Sequence, residues 1–334
     1  MHADLTPDQA TSAVLNVLAG AHLEQAAAHA GMSSADLADA VEVYHTGGQA
    51  ALQAHGASRD WFTVRIQPTD WDTAEYAAAT HLGPQLLQAQ RAGELTAWWF
   101  VRKHPCWRLR LHPGPTATIA ELKVVFGAIL NSLTEAGVLD QWWTVIYEPE
   151  ILAFGGPRAT DIAHNLFHTD SRRILDYLRH LDPAARPEDI LRRREMSVLL
   201  CTTLFRAASQ DWYEQADIWD RVARMRPLPA GIPTNRLPSM AEKLRWLMTV
   251  DTDQLVDSGP LAFVTPWSAG FRNAGRDLAD AAHHGALLRG VRDVLAHHVI
   301  FHWNRLGLSA TTQAILAQAA RDAIMNPSHP EDGR

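Results

Sequence analysis

The stretch from Asp60 to Glu148 switches repeatedly between two hydrophobic periods, and this switching restricts the fold more than any other feature of the chain. WFTVRI (61–66), AWWFVR (97–102), CWRLRLH (106–112) and QWWTVIYE (141–148) are rich in aromatic and β-branched residues, as strands are. Between them, 71–92 and 117–136 show the longer period of helices, and Lys103-His104-Pro105 marks a turn. The order is βαββαβ, that of a ferredoxin-like split unit with both helices on one face of the sheet. Something else must cover the other face.

From Pro157 onward the pattern is helical, over 157–182, 193–208, 210–225, 239–249, 268–290, 291–305 and 309–325. PAARPED, around residues 184–188, and RPLPAGIPTNRLP (226–238) read as proline-rich connectors, and the tail after Asn326 as frayed. These helices are expected over the open face of the sheet. The fold class is therefore α+β, with a sheet unit over 58–156 and a helical region over 157–330.

Residues 1–57 form a separate segment, read as three helices over 7–19, 22–30 and 33–55. Gly31 and the following serines make a tight turn between the last two, as in a helix-turn-helix. Residues 1–58 carry six acids (Asp4, Asp8, Glu24, Asp36, Asp39, Glu42) and no Lys or Arg, which is most of the net charge of -7. A DNA-binding module must neutralise phosphates with cations, so this acidic bundle is expected to dock a peptide or protein partner and not DNA.

At 334 residues and 47% hydrophobic content the chain can build two cores. The first 30 residues lack a basic region followed by an apolar one, and no uncharged run approaches the roughly 20 residues that span a bilayer. A cytoplasmic protein without a membrane partner is expected. Cys106 and Cys201 stand far apart without CxxC spacing, so packing is expected of them, not a disulfide or a thiolate metal site.

On the strand 106–112, alternation sends Arg108 and Arg110 to one face and Trp107, Leu109 and Leu111 to the other. Arg65 joins the first face if Phe62, Val64 and Ile66 enter the core. Three guanidinium groups would then line a floor suited to carboxylates or phosphates. The same arginines could instead pair with Glu148, Glu150 or helix acids. Glu150 could accept a proton, orient an arginine, or serve only as a cap.

His164 and His168 stand four residues apart, as do His298 and His302. Neither pair has an HExxH pattern or an accompanying carboxylate, so neither a metal nor another cofactor is expected. Asp170 and Ser171 could cap a turn or bind a ligand. His302, Asn304 and Arg305 lie on a helix that Gly307 would stop, too polar a set for a wholly buried face.

Taken together, PCWRLRLHPG, YEPEILAFGG, AHNLFHTDSRRIL and HVIFHWNRLGLS resemble the thiopeptide-type bacteriocin biosynthesis proteins, which are similar to the C-terminal elimination domain of class I lanthipeptide dehydratases. The resemblance runs from about residue 59 to 325. It implies removal of glutamate from glutamylated Ser or Thr of a precursor peptide, leaving dehydroalanine or dehydrobutyrine. By resemblance, Arg108 and Arg110 match the family's paired arginines and Glu150 its glutamate, with His302 on the second histidine of an H-x-H-x-N-R-L pattern. Catalytic roles then fall to Glu150 and His302, and substrate binding to Arg65, Arg108, Arg110, Asp170, Ser171, Asn304 and Arg305. The implied partners are the leader and core of the precursor peptide and a larger, tRNA-dependent glutamylating subunit.

Two departures separate this chain from the pattern. The arginine of E-x-x-R-Y-G-G is Ala153, and the first C-terminal histidine is Ile300. A second branch of the family, the pyridine synthases, joins two dehydroalanines in a formal [4+2] cycloaddition and needs no glutamate clamp. The expected role is elimination as the small subunit of a split dehydratase. Cycloaddition and non-catalytic peptide binding are the alternatives.

Overall fold

The computed structural model describes residues 7–57, 60–180, 193–233, 235, 237–250 and 262–326. Two compact units divide the chain, Met1–Ala57 and Ser58–Arg334. In the first, helices α1 (Pro7–Leu18), α2 (Leu23–Ala30) and α3 (Ser34–Ala57) share a small core of Ala13, Val14, Ala26, Ala27 and Leu37. Gly31 takes the left-handed conformation that ends α2, and the Ser33 hydroxyl accepts the Asp36 amide at 3.0 Å to start α3.

The second unit begins with the strands and helices in the order read from the sequence. Strand β1 is Phe62–Pro68, β2 Leu95–Lys103, β3 Cys106–Pro113 and β4 Leu139–Val145. They form one antiparallel sheet in the order β2-β3-β1-β4. One face buries Phe62, Val64, Ile66, Trp98, Phe100, Leu109 and Leu111 under the two crossover helical segments, through Leu86, Leu122 and Phe126. Helix α6 (Ile119–Glu135) starts with a reciprocal cap between Thr118 and Glu121.

The first crossover is not the single helix expected over 71–92. It runs as α4 (Ala74–Ala77), a π turn (Ala78–Leu82) and α5 (Gly83–Arg91). Pro84 has no amide to donate, and the wider turn absorbs the break. Arg179 donates Nε to the Ala79 carbonyl at 3.0 Å, partnering an oxygen of that turn. Strand β4 also differs, ending at Val145 so that Glu148 and Glu150 lie beyond it in the connection to the helix that starts at Pro157. Pairing with β1 fixes this limit, because Val145 lies opposite Thr63 and β1 begins at Phe62, while a bulge at Gln67/Pro68 aligns Pro68 with Leu139 at the start of β4.

Among the described residues, the helical region contains α7 (Pro157–His180), α8 (Arg193–Ala207), α9 (Trp212–Met225), α10 (Leu237–Thr249), α11 (Thr265–His283), α12 (Val291–Leu306) and α13 (Ala310–Met325). Asp211 and Ser309 cap the starts of α9 and α13, and Gly307 ends α12 in the left-handed region. The PAARPED connector and the tail beyond Asn326 lie outside the described residues. Among the described residues, no helix is long and apolar enough to cross a membrane.

Helix α7 does not lie flat over the open sheet face. It straddles the free edge of β2, burying Ile162, Leu166 and Ile174 on one side of that edge and Ala163 and Phe167 on the other. An edge strand leaves every second amide unpaired. Here Trp98 N donates to His168 Nδ1 at 3.1 Å and Phe100 N to Ser171 Oγ at 3.1 Å. At the far end of β2, buried Arg102 donates to the Arg305 carbonyl at 2.7 Å and pairs with Glu75.

Candidate functional site

The second face of the sheet carries the arginines. β1 and β3 pair so that Arg65 faces Arg108 and Thr63 faces Arg110. All three guanidinium groups are half-buried, and among the described residues none has a carboxylate within ion-pairing distance. The buried Nε atoms of Arg65 and Arg110 have no hydrogen-bond partner. Pairs with Glu148 or Glu150, one outcome open from the sequence, do not form. Both acids are exposed, although Glu150 is near enough to act electrostatically on Arg110.

An aromatic box holds Arg110. Its guanidinium carbon lies 4.0 Å from the centre of the Trp99 ring and 5.1 Å from that of Tyr147. Burial pulls this guanidinium down to about 10. The Tyr147 hydroxyl lies 2.6 Å from His164 Nε2 on α7. Trp61 stands 5.0 Å from both His164 and His112 and 5.9 Å from Tyr147, ring centre to ring centre. Burial first, then the positive charge of Arg110 and His112, lowers His164 to about 4. Burial pushes Tyr147 above the ordinary phenol range. The box therefore holds a neutral imidazole and a protonated phenol beside a row of free cations.

The remaining predicted residues gather elsewhere, among the helices. Fully buried Asp170 accepts from Trp267 Nε1 at 2.8 Å and Arg305 Nε at 2.6 Å, and His302 Nδ1 lies 2.9 Å from the same carboxylate. Burial alone would raise its pKa, but the charges of His302 and Arg305 hold it below the usual range. Arg305 lies over Phe167, its guanidinium carbon 4.3 Å from the ring centre, with both terminal nitrogens buried and unpartnered. His302 is fully enclosed and Ser171 is committed to the β2 edge. Asn304 accepts from Gln313 at 3.0 Å. Asp170, Ser171, His302 and Arg305 are all buried, and half-buried Asn304 is turned to the last helix by its bond to Gln313.

The histidine pairs do not converge either. His164 bonds Tyr147, His168 the β2 edge, and His302 Asp170, while buried His298 has no partner on either ring nitrogen. Among the described residues, no three His, Cys, Asp or Glu side chains gather where they could hold a metal ion.

The Gly155-Gly156 break seats the connection after β4 on the helices. Both glycines have positive φ, 87° and 103°, and a Cβ on Gly156 would stand 2.8 Å from Leu288. Leu288 N donates to the Gly155 carbonyl at 2.9 Å. This anchor fixes where Tyr147 and Glu150 leave the sheet.

The family model for the lantibiotic biosynthesis dehydratase C-terminal region matches residues 61–324. The chain belongs to that family. Among solved structures it is similar to the tRNA-dependent lantibiotic dehydratase MibB from Microbispora sp. 107891, with TM-score 0.57 and 17% identity over 80% of this chain. That match covers 28% of the dehydratase, so this chain spans little more than a quarter of its length. It is similar as well to TsrL, with TM-score 0.56 and 16% identity over 79% of this chain and 93% of that one. TbtD, the pyridine synthase from thiomuracin biosynthesis, matches with TM-score 0.51 and 12% identity over 79% of this chain and 97% of that one. No curated protein matches the sequence.

In this member of the dehydratase C-terminal family, Phe154, the residue after Ala153, packs against His297, His298 and Phe301 on α12, the helix that carries Ile300. Ala153 is half-buried in the turn before Gly155, and Ile300 is packed into the core on α12. Trp61, Tyr147 and the binding of His164 to Tyr147 were not legible as site features. The only local signal was the polar stripe His164, His168, Ser171 at helical spacing on α7.

Proposed function

We propose that this chain acts in the biosynthesis of ribosomally made peptide natural products, removing glutamate from glutamylated Ser or Thr of a precursor peptide. The observation that supports this best is the set Arg65, Arg108 and Arg110, three cations on one sheet face without a carboxylate partner among the described residues. Clustered cations repel, so an arrangement retained without acids is suited to an anionic ligand such as the departing glutamate. In this reading Arg108 and Arg110 hold the glutamyl carboxylates, Arg65 widens the floor, and exposed Glu150 orients Arg110. Asp170, Ser171, His302 and Arg305 act from behind, holding α7 and α12 against β2, and Asn304 joins α12 to α13 through Gln313.

The protein then works in the cytoplasm as the small subunit beside a larger glutamylating enzyme, with the acidic 1–57 segment as a partner-docking unit. Its sheet is of the ferredoxin-like split type, a reading supported by the strand order β2-β3-β1-β4. The test is to offer the protein a precursor peptide bearing a glutamylated serine. Free glutamate and a dehydroalanine-containing peptide are expected, and absence of both from folded protein sinks elimination.

Ala153 and Ile300 favour a second reading, cycloaddition, because each replaces a group that handling glutamate would use. A peptide with two preformed dehydroalanines tests it, through the appearance of a pyridine chromophore. Non-catalytic peptide capture is favoured by an apolar groove lined by Ile232, Leu237, Met240 and Leu316. It would show as leader-peptide binding with both assays blank.

A further inference from the structure

We propose that Tyr147 and His164 are the proton-transfer pair of the arginine face, an inference that rests on the elimination reading. The two come from different elements, the connection after β4 and the helix α7, and meet with Oη and Nε2 2.6 Å apart. Among the described residues each is the other's only hydrogen-bond partner. His168, one turn further along α7, carries a backbone amide and so has an architectural task. His164 has none, yet it is held by rings on three sides, Trp61, Trp99 and Phe167. Arg110 stacks on Tyr147 itself, which puts the phenol oxygen and the anion floor in one compartment.

Elimination of glutamate needs a group that takes the Cα proton within reach of the cations that take the leaving carboxylate. Tyr147 Oη accepts the proton from Cα while passing its own proton to His164 Nε2. The electron pair of the Cα–H bond becomes the second bond between Cα and Cβ. The Cβ–O bond breaks, and glutamate departs with the electron pair of that Cβ–O bond as a carboxylate on Arg108 and Arg110. Tyr147 is left as a phenol, and His164, now imidazolium, returns its proton to solvent so that the neutral imidazole is restored.

Electrostatics agrees with this order of events. The groups acting on His164 besides burial are Arg110 and His112, both on β3, and both weaken its basicity while the floor is empty. A glutamyl carboxylate on Arg110 cancels much of that positive field, so anion binding strengthens the proton acceptor. Arg110 also favours the tyrosinate form of Tyr147, against burial and Glu150.

The experiment compares wild type, Tyr147→Phe and His164→Asn on a peptide carrying one glutamylated serine, with kcat and KM measured from glutamate release and folding from near-ultraviolet circular dichroism. Each variant is expected to lose about 100-fold or more in kcat with KM within threefold, the usual scale for general acid–base groups. Arg108→Lys, which removes a bidentate contact, is expected to move KM instead. His164→Gln replaces His164→Asn if the latter does not fold. Folded Tyr147 and His164 variants that keep kcat within threefold overturn the pair and leave elimination standing. Wild type that releases no glutamate overturns both.

Discussion

Arg65 and Arg108 face each other directly across β1 and β3, two like charges in register with no acid between them. Like charges opposite one another weaken a strand pair by roughly 0.2–1 kcal/mol. The sheet tolerates this because its stability comes from the other face, where Val64 and Leu109 are closed in by Leu86 and Phe126. Arg65→Gln is therefore expected to leave the denaturation midpoint unchanged or slightly higher. It is also expected to weaken protection of the protein by added glutamate. Chemical denaturation with and without glutamate measures both, and a clear loss of stability in the absence of glutamate would contradict the unpaired-cation view.

What the sequence disclosed and what it hid divide along local and long-range causes. Alternation along 106–112 placed Arg108 and Arg110 correctly because the period of a strand is a local property. The end of β4 was not local. It depends on where β1 begins, at Phe62, because Val145 pairs with Thr63 and nothing on β1 is left to pair with the residues beyond, so Glu148 and Glu150 fall outside the strand. Pro84 was visible, but its effect, a π turn and not a helix end, appears only in the fold, where Arg179 reaches across to the Ala79 carbonyl. Asp170, His302 and Arg305 could be singled out as unusual polar residues on helices. That they converge on one buried carboxylate requires α7 and α12 to be packed together, which no window of sequence contains.

Buried His298 gives the fold a pH dependence. Burial first, then the charges of Arg305 and His297, lowers it to about 3, whereas an unfolded histidine titrates near 6.5. The unfolded chain thus binds the proton more readily, and this contribution is full above about pH 6.5 and is lost as pH falls toward the folded value. His164, lowered to about 4, adds to the same window. Between pH 6 and 4.5 each histidine is expected to remove up to about 1.4 kcal/mol per pH unit. His298→Leu, which also removes two unpartnered ring nitrogens, is expected to flatten the slope by one proton without loss of stability at pH 7.5. Urea titrations across this range decide it.

Asp170 is the counter-charge for two basic groups in a place without solvent. Replacing it by Asn leaves Arg305 as an uncompensated buried cation, and removing one partner of such a pair is expected to cost about 3–5 kcal/mol. Adding Arg305→Met should restore part of that loss, because an apolar side chain suits the surface of Phe167 that now supports the guanidinium. Thermal denaturation of the two single variants and the double variant provides the cycle. Additive losses would show that the charge pair contributes no coupling.

Ser171 reports on the way α7 seals the sheet. Its hydroxyl accepts the Phe100 amide, a donor on the outer edge of β2 that would otherwise be buried without a partner. Ser171→Ala removes the acceptor and keeps the packing, so the lost hydrogen bond is expected to cost about 1–3 kcal/mol. Exchange of the Phe100 amide with deuterium should accelerate more than that of Leu109, which lies on β3, the interior strand beside it. If α7 merely leaned on the sheet, both amides would change together with global stability. A selective change at Phe100 identifies the helix as the cap of this edge and links the position of His164, seven residues earlier on the same helix, to the integrity of β2.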